Sequence, residues 1–144
     1  MAVDPATVSY LLSSVASTAK IIEFAIGLAG RRASPGEVED VTKTADAYAA
    51  LKFGVSSPAV AVMANGSWSK QIVDAIKKQI EESKVRTIKI IESDTLDDFD
   101  RKKRLIQERR NFCAHLDQIR NYNGGKLPPD LQEEWNLTCS DYVP

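Results

Sequence analysis

The apolar residues of the chain recur at spacings of three, four and seven, the period of helices buried on one face. In the first segment, Val8, Leu11, Leu12, Val15, Ala19, Ile22, Ile26 and Ala29 fall on one face. Ile21, Phe24, Ala25 and Leu28 widen that face in its second half. Asp4 followed by Pro5 reads as a cap and a first helical residue, and Gly30 as the stop, with Arg31 and Arg32 near the negative end. Ser34-Pro35-Gly36-Glu37 has the form of a capping box. It opens a helix to about Lys52 with Val38, Val41, Ala45, Tyr48 and Ala49 turned inward. Ser57-Pro58 starts a short helix from Ala59 to Ala64. Ser67 is expected to cap the next one, whose stripe is Trp68, Ile72, Ile76 and Ile80. Residues 85–91, Val-Arg-Thr-Ile-Lys-Ile-Ile, are β-branched enough for a strand. No second strand of similar quality exists to pair with them, so the helix is continued to about Ile91. Ser93-Asp94 is expected to begin a helix to about Asn121 with Phe99, Leu105, Ile106, Phe112, Cys113, Leu116 and Ile119 on its apolar side. Asn123-Gly124-Gly125 breaks that helix, and a last short one carries Leu131 and Trp135. The pattern predicts an all-α fold, a single-domain bundle of five or six helices over residues 1–144, with 140–144 frayed.

Composition supports one packed core. A quarter of the 144 residues are Leu, Ile, Val or Phe, above the roughly 20% below which chains tend to stay disordered. The net charge of −1 provides no global field for nucleic acid. One His and two Cys are too few for an ordinary zinc site, and no cofactor or metal is expected. Asp94, Asp97, Asp98 and Asp100 lack the Gly and terminal Glu of a calcium loop and read as complements to a helix dipole. Gly124-Gly125-Lys126 lacks the spacing of a phosphate loop and reads as a turn. Two cysteines are not a disulfide framework, so Cys113 and Cys139 are expected to be reduced. The N-terminus lacks the basic region of a signal peptide, which makes Asn65-Gly66-Ser67 and Asn136-Leu137-Thr138 accidental sequons and the expected location cytoplasmic.

Three features carry candidate function. The first segment is long enough to span a bilayer, although Lys20, Glu23 and several Ser and Thr interrupt it. Its wide apolar face makes Leu12, Ile22, Phe24, Ile26 and Leu28 candidates for contact with a partner or a membrane, unless the helix lies at the bundle's centre. The basic run Arg101-Lys102-Lys103-Arg104 with Arg109, Arg110 and Arg120 is either a solvated face or a local phosphate-binding strip. The third is Arg110-Asn111-Phe112-Cys113-Ala114-His115.

That hexapeptide resembles the Arg-x4–6-His signature of the HEPN superfamily, small helical domains that often act as metal-independent RNases. The resemblance covers six residues. It implies a cleft between two protomers in which Arg110 holds the scissile phosphate, His115 assists proton transfer and Asn111 orients the site. Five residues apart on a regular helix, Arg110 and His115 point about 140° from each other, so a shared site needs a second protomer or a broken helix. The alternative is a histidine hydrogen-bonded to Asn111 one turn away. Three functional expectations follow: a non-enzymatic interaction or assembly module binding a protein partner or itself as a homo-oligomer; a HEPN-like RNase acting on RNA; and a membrane-active bundle using residues 5–29.

Overall fold

A computed structural model describes residues 4–66 and 68–144. Among them are six helices and no strand: α1 (Pro5–Gly27), α2 (Pro35–Lys52), α3 (Pro58–Ala64), α4 (Lys70–Glu92), α5 (Asp98–Tyr122) and α6 (Pro129–Thr138). The β-branched stretch 85–91 is helical, as the lack of a pairing partner requires. Met1–Val3 and Ser67 lie outside the described residues, so the expected cap at Ser67 is not addressed there. The α4 cap is Ser69, whose hydroxyl accepts from the Ile72 N–H.

Helix α1 runs through the centre of the bundle and packs on the other five. Leu11, Leu12, Val15, Ala16, Ile21, Ile22 and Ala25 are all buried within the one chain. The width of its apolar face is thus used by its own bundle. No helix among the described residues is long and apolar enough to cross a membrane; α1 has the length, but its serines, threonines, Lys20 and Glu23 deny it the apolarity. Ser14 and Ser17 are instead buried, bonded to Glu81 (2.6 Å) and Asp46 (3.2 Å).

Local signals fix most boundaries. Ser34 and Glu37 complete the capping box in both directions, and Ser57 caps α3 through the Val60 N–H. Asp4 makes no such bond, so Pro5 alone marks the start of α1. The chain leaves α1 through Ala29 and Gly30, both with positive φ. At Gly30 a Cβ would stand 2.5 Å from the Asp98 carbonyl oxygen, so this crossing of α5 requires glycine. Arg31 and Arg32 do not serve the end of α1: Arg31 pairs with Glu37 (3.0 Å) and Arg32 donates to the Glu92 carbonyl at the end of α4.

Three expectations are corrected. Helix α5 begins at Asp98, not at Ser93, because Asp97 is the cap, accepting the Asp100 N–H at 2.7 Å. Its expected inward face holds at Leu105, Phe112, Cys113, Leu116 and Ile119 but fails at two positions. Phe99 and Ile106 are exposed, at 75% and 47%, while Arg101 and Glu108 are buried with Phe112, Leu116 and Ile119. Cys113 and Cys139 are joined in a disulfide linking α5 to the end of α6; the turn through Gly124 and Gly125 reverses the chain and brings them together. The tail is also held: Asp141 pairs with Arg109 (3.2 Å), and Tyr142 packs edge-on against Trp135.

Candidate functional site

The basic run does not form one strip. Arg101 is 2% exposed. Its guanidinium donates to the carbonyls of Gly30 (2.8 Å), Ser93 (2.7 Å) and Leu96 (2.7 Å) and to Asp98 (2.9 Å). This cation fastens the α1–α2 turn and the α4–α5 connection to α5, and no phosphate can reach it. Arg120 pairs with Asp117 and lies over the Trp135 ring. Lys102, Lys103, Arg104 and Arg110 remain exposed.

The Arg-x4-His residues lie on one unbroken helix and face apart. Arg110 is on the flank beside the tail, near Cys113, Asp141 and Tyr142. His115 is half-buried on the flank toward α4. Burial pushes its imidazole below the ordinary histidine range, with nearby Arg86 adding to this and Gln118 and Glu108 opposing it. Asn111 accepts from Gln107 (3.1 Å), one turn back, and not from His115. The structure gathers a different group at this seam. Buried Glu108 accepts from Arg86 Nε (2.9 Å) and, more weakly, from the Ser83 hydroxyl (3.4 Å). Neither Ser83 nor Glu108 was marked by the sequence, because both are polar; yet each falls at an apolar spacing, Ser83 three residues after Ile80 and Glu108 four before Phe112. Within a single chain, then, Arg110 and His115 do not share a site.

Of the five contact candidates on α1, Leu12 and Ile22 are core residues covered by the chain itself. They are unavailable to a partner while the bundle is intact. Phe24 and Leu28 are partly buried against Ala33, Ala45 and Ile91. Ile26 alone is largely exposed, at 51%. It borders a groove of about 200 Å³ between the C-terminal half of α1 and α5. Ile22, Ala25, Ile26, Leu105 and Ile106 make its apolar surface, and Lys102 and Arg109 its polar edge. A second depression of about 240 Å³ shares Ile106 and Arg109 and runs past Arg110 to Tyr142 and Val143. The misassigned apolar residue Ile106 thus stands where the two meet.

A polar tie joins α2 to α6. Buried Glu134 accepts from the Tyr48 hydroxyl (2.6 Å) and Lys52 (3.2 Å), and Lys52 also reaches Glu133 (2.9 Å). Burial opposes the charge on Lys52, but its bonds to Glu133, Tyr48 and Glu134 outweigh that and hold the ammonium above the usual lysine range. Burial and Glu134 push the Tyr48 phenol up. Every member of this group has a partner, which makes it a fastening of α6. Among the described residues no cluster of three or more His, Cys, Asp or Glu could hold a metal ion. No protein-family model, curated protein or solved structure matches the chain.

Proposed function

We propose that this chain is a non-enzymatic helical interaction module whose contact surface is the α1–α5 groove. The observation that carries this reading is an apolar groove left unfilled beside two exposed isoleucines, Ile26 and Ile106; other exposed apolar residues, such as Leu51, Val55, Phe99 and Leu137, do not line it. Apolar side chains grouped around a concavity mark interaction sites more often than scattered ones do. The proposed partner is a protein, either a different one or a second copy. The cysteine argument for a reducing compartment does not hold once Cys113 and Cys139 are joined; a lasting bond between them fits an oxidising one.

A second reading, metal-independent RNA cleavage of the HEPN kind, has one observation in its favour: His115 sits half-buried beside Arg86 and Glu108 with its imidazole biased toward the neutral form, the form a general base requires. It needs Arg110 from a second copy. The two readings part in a single assay. Purified chain incubated with single-stranded RNA in EDTA is expected to leave it intact. Cleavage that disappears in His115→Ala, with the helical signal kept, would overturn the interaction reading in favour of the nuclease. Leakage from phospholipid vesicles would overturn it in favour of the membrane-active bundle.

A further inference from the structure

We infer that the α1–α5 groove takes an acidic amphipathic helix of a different protein, its apolar stripe seated between Ile26 and Ile106 and its carboxylates on Lys102 and Arg109. The inference rests on the interaction-module reading and gives its partner a chemistry.

The groove's size bears on the occupant. About 200 Å³ beside Ile26 and about 240 Å³ more past Arg109 form one elongated depression. It suits the anchoring side chains of a helix, which enters such grooves through residues at i, i+3, i+4 and i+7. The groove is long rather than deep, because it continues along α5 past Arg109 and Arg110.

Charge excludes a second copy in the simplest packings. Along the exposed side of α5 run Phe99, Lys102, Lys103, Ile106, Arg109 and Arg110. Two such helices laid antiparallel about Ile106 bring Lys102 and Lys103 of one against Arg109 and Arg110 of the other. Laid parallel, each cation meets itself. Both arrangements set like charges face to face, which disfavours the pairing. A helix bearing Glu or Asp beside its apolar stripe meets complementary charge at Lys102 and Lys103, and again at Arg110 beyond the Arg109–Asp141 pair.

The chain's own tail already shows the chemistry. Held by Cys139 against α5, it lays Asp141 on Arg109 at 3.2 Å and places Val143 beside the same groove. An acid on Arg109 next to an apolar side chain is what the proposed partner would repeat further along the groove, where Lys102 has no carboxylate partner among the described residues.

The test uses the full chain and a fluorescent peptide with leucines at i, i+3, i+4 and i+7 and glutamates on both flanks. The controls are the same peptide with lysines replacing the glutamates, and a scrambled one. Anisotropy is expected to show the glutamate peptide binding at least about tenfold more tightly than either control, and more weakly as salt rises. Ile106→Asp should weaken it at least about tenfold, and Lys102→Glu should shift preference toward the lysine peptide. Both positions are exposed, and Ile26→Asp repeats the apolar test from α1 should Ile106→Asp melt early. Equal binding of all three peptides, or undiminished binding to both variants, would overturn the proposal. Binding to phosphatidylglycerol vesicles in place of the peptide would overturn it in favour of a lipid surface. Self-association lost in Ile106→Asp, with no peptide bound, would overturn it in favour of a second copy and leave the interaction reading standing. His115-dependent RNA cleavage would remove both.

Discussion

Breaking the Cys113–Cys139 bond should lower the melting temperature by about 12 °C. The two residues are 26 apart in sequence. Closing a loop of that length in the unfolded chain costs entropy that the crosslink removes in advance, about 3.5 kcal/mol at 25 °C on the chain-entropy model. Unfolding entropy scales near 2.1 cal/mol/K per residue, or about 300 cal/mol/K for 144 residues, and the ratio gives the shift. The structure says where the loss would be felt. Helix α6 has ten residues, too few to be stable alone, and it is fastened at one end by this bond and elsewhere by Glu134 on Tyr48 and Lys52. The assay is thermal circular dichroism with and without a phosphine reductant. Cys113→Ala/Cys139→Ala serves as the uncrosslinked reference, which leaves no lone thiol. Hydrogen exchange at Tyr142 should quicken on reduction, since its N–H is held by the Cys139 carbonyl (3.0 Å). Alkylation of denatured, unreduced protein made in an oxidising host should find no free cysteine. Two labelled cysteines there, or a melting shift under about 3 °C, would refute the reasoning.

Arg101→Lys should destabilise by about 3 kcal/mol, measured by urea titration, because an ammonium cannot span the Gly30, Ser93 and Leu96 carbonyls and buried acceptors are left without partners. A loss no larger than that of Lys103→Ala would show that the clasp is dispensable. Arg31 and the Ser34 backbone hold the Glu37 carboxyl at about 2. Its stabilising contribution is therefore present above the ordinary value of 4.5 and lost as pH falls from there toward about 2. Carboxyl NMR should find Glu37 titrating near the bottom of that window in the native chain and closer to the ordinary range in Arg31→Ala. His115 is shifted down, so the unfolded chain takes up its proton first. Stability should decline as pH falls below about 6.5, and His115→Gln should flatten that part of the melting-temperature profile.

The helices were legible where the chain states them twice, once in the apolar period and once in a cap. Ser34 with Glu37 and Ser57 with Pro58 are such places, and the structure makes the bonds their sequences imply. The start of α5 was misplaced because Ser93, Asp94 and Asp97 are all acceptable caps. What selects Asp97 is distant: Arg101 takes the Ser93 and Leu96 carbonyls, and this holds residues 93–97 out of the helix. The disulfide was illegible for a related reason. Two cysteines specify no pairing until a turn, here at Gly124 and Gly125, sets one helix against another.

The first half of α5 is where the apolar pattern and the structure part, and it borders the site. Phe99, Ile106 and Cys113 repeat every seven residues and look like a seam, so they were expected to face inward. Only Cys113 of the three is buried; toward the helix's start the inward face carries Arg101 and Glu108, also seven apart. A charged residue is read as exposed because burying it unpaired costs several kcal/mol. That penalty is offset for Arg101 by four partners, although its buried Nε has none, and for Glu108 by Arg86 and Ser83. Turning those two inward turns Phe99 and Ile106 outward, and carries Lys102 and Arg109 to the edge of the α1 groove. The apolar contact surface proposed here therefore accompanies the burial of Arg101 and Glu108. The same seating puts His115 toward α4 and Arg110 toward the tail, so the spacing that suggested a nuclease belongs to a helix held by Phe112, Cys113, Leu116 and Ile119 together with its buried Arg101 and Glu108.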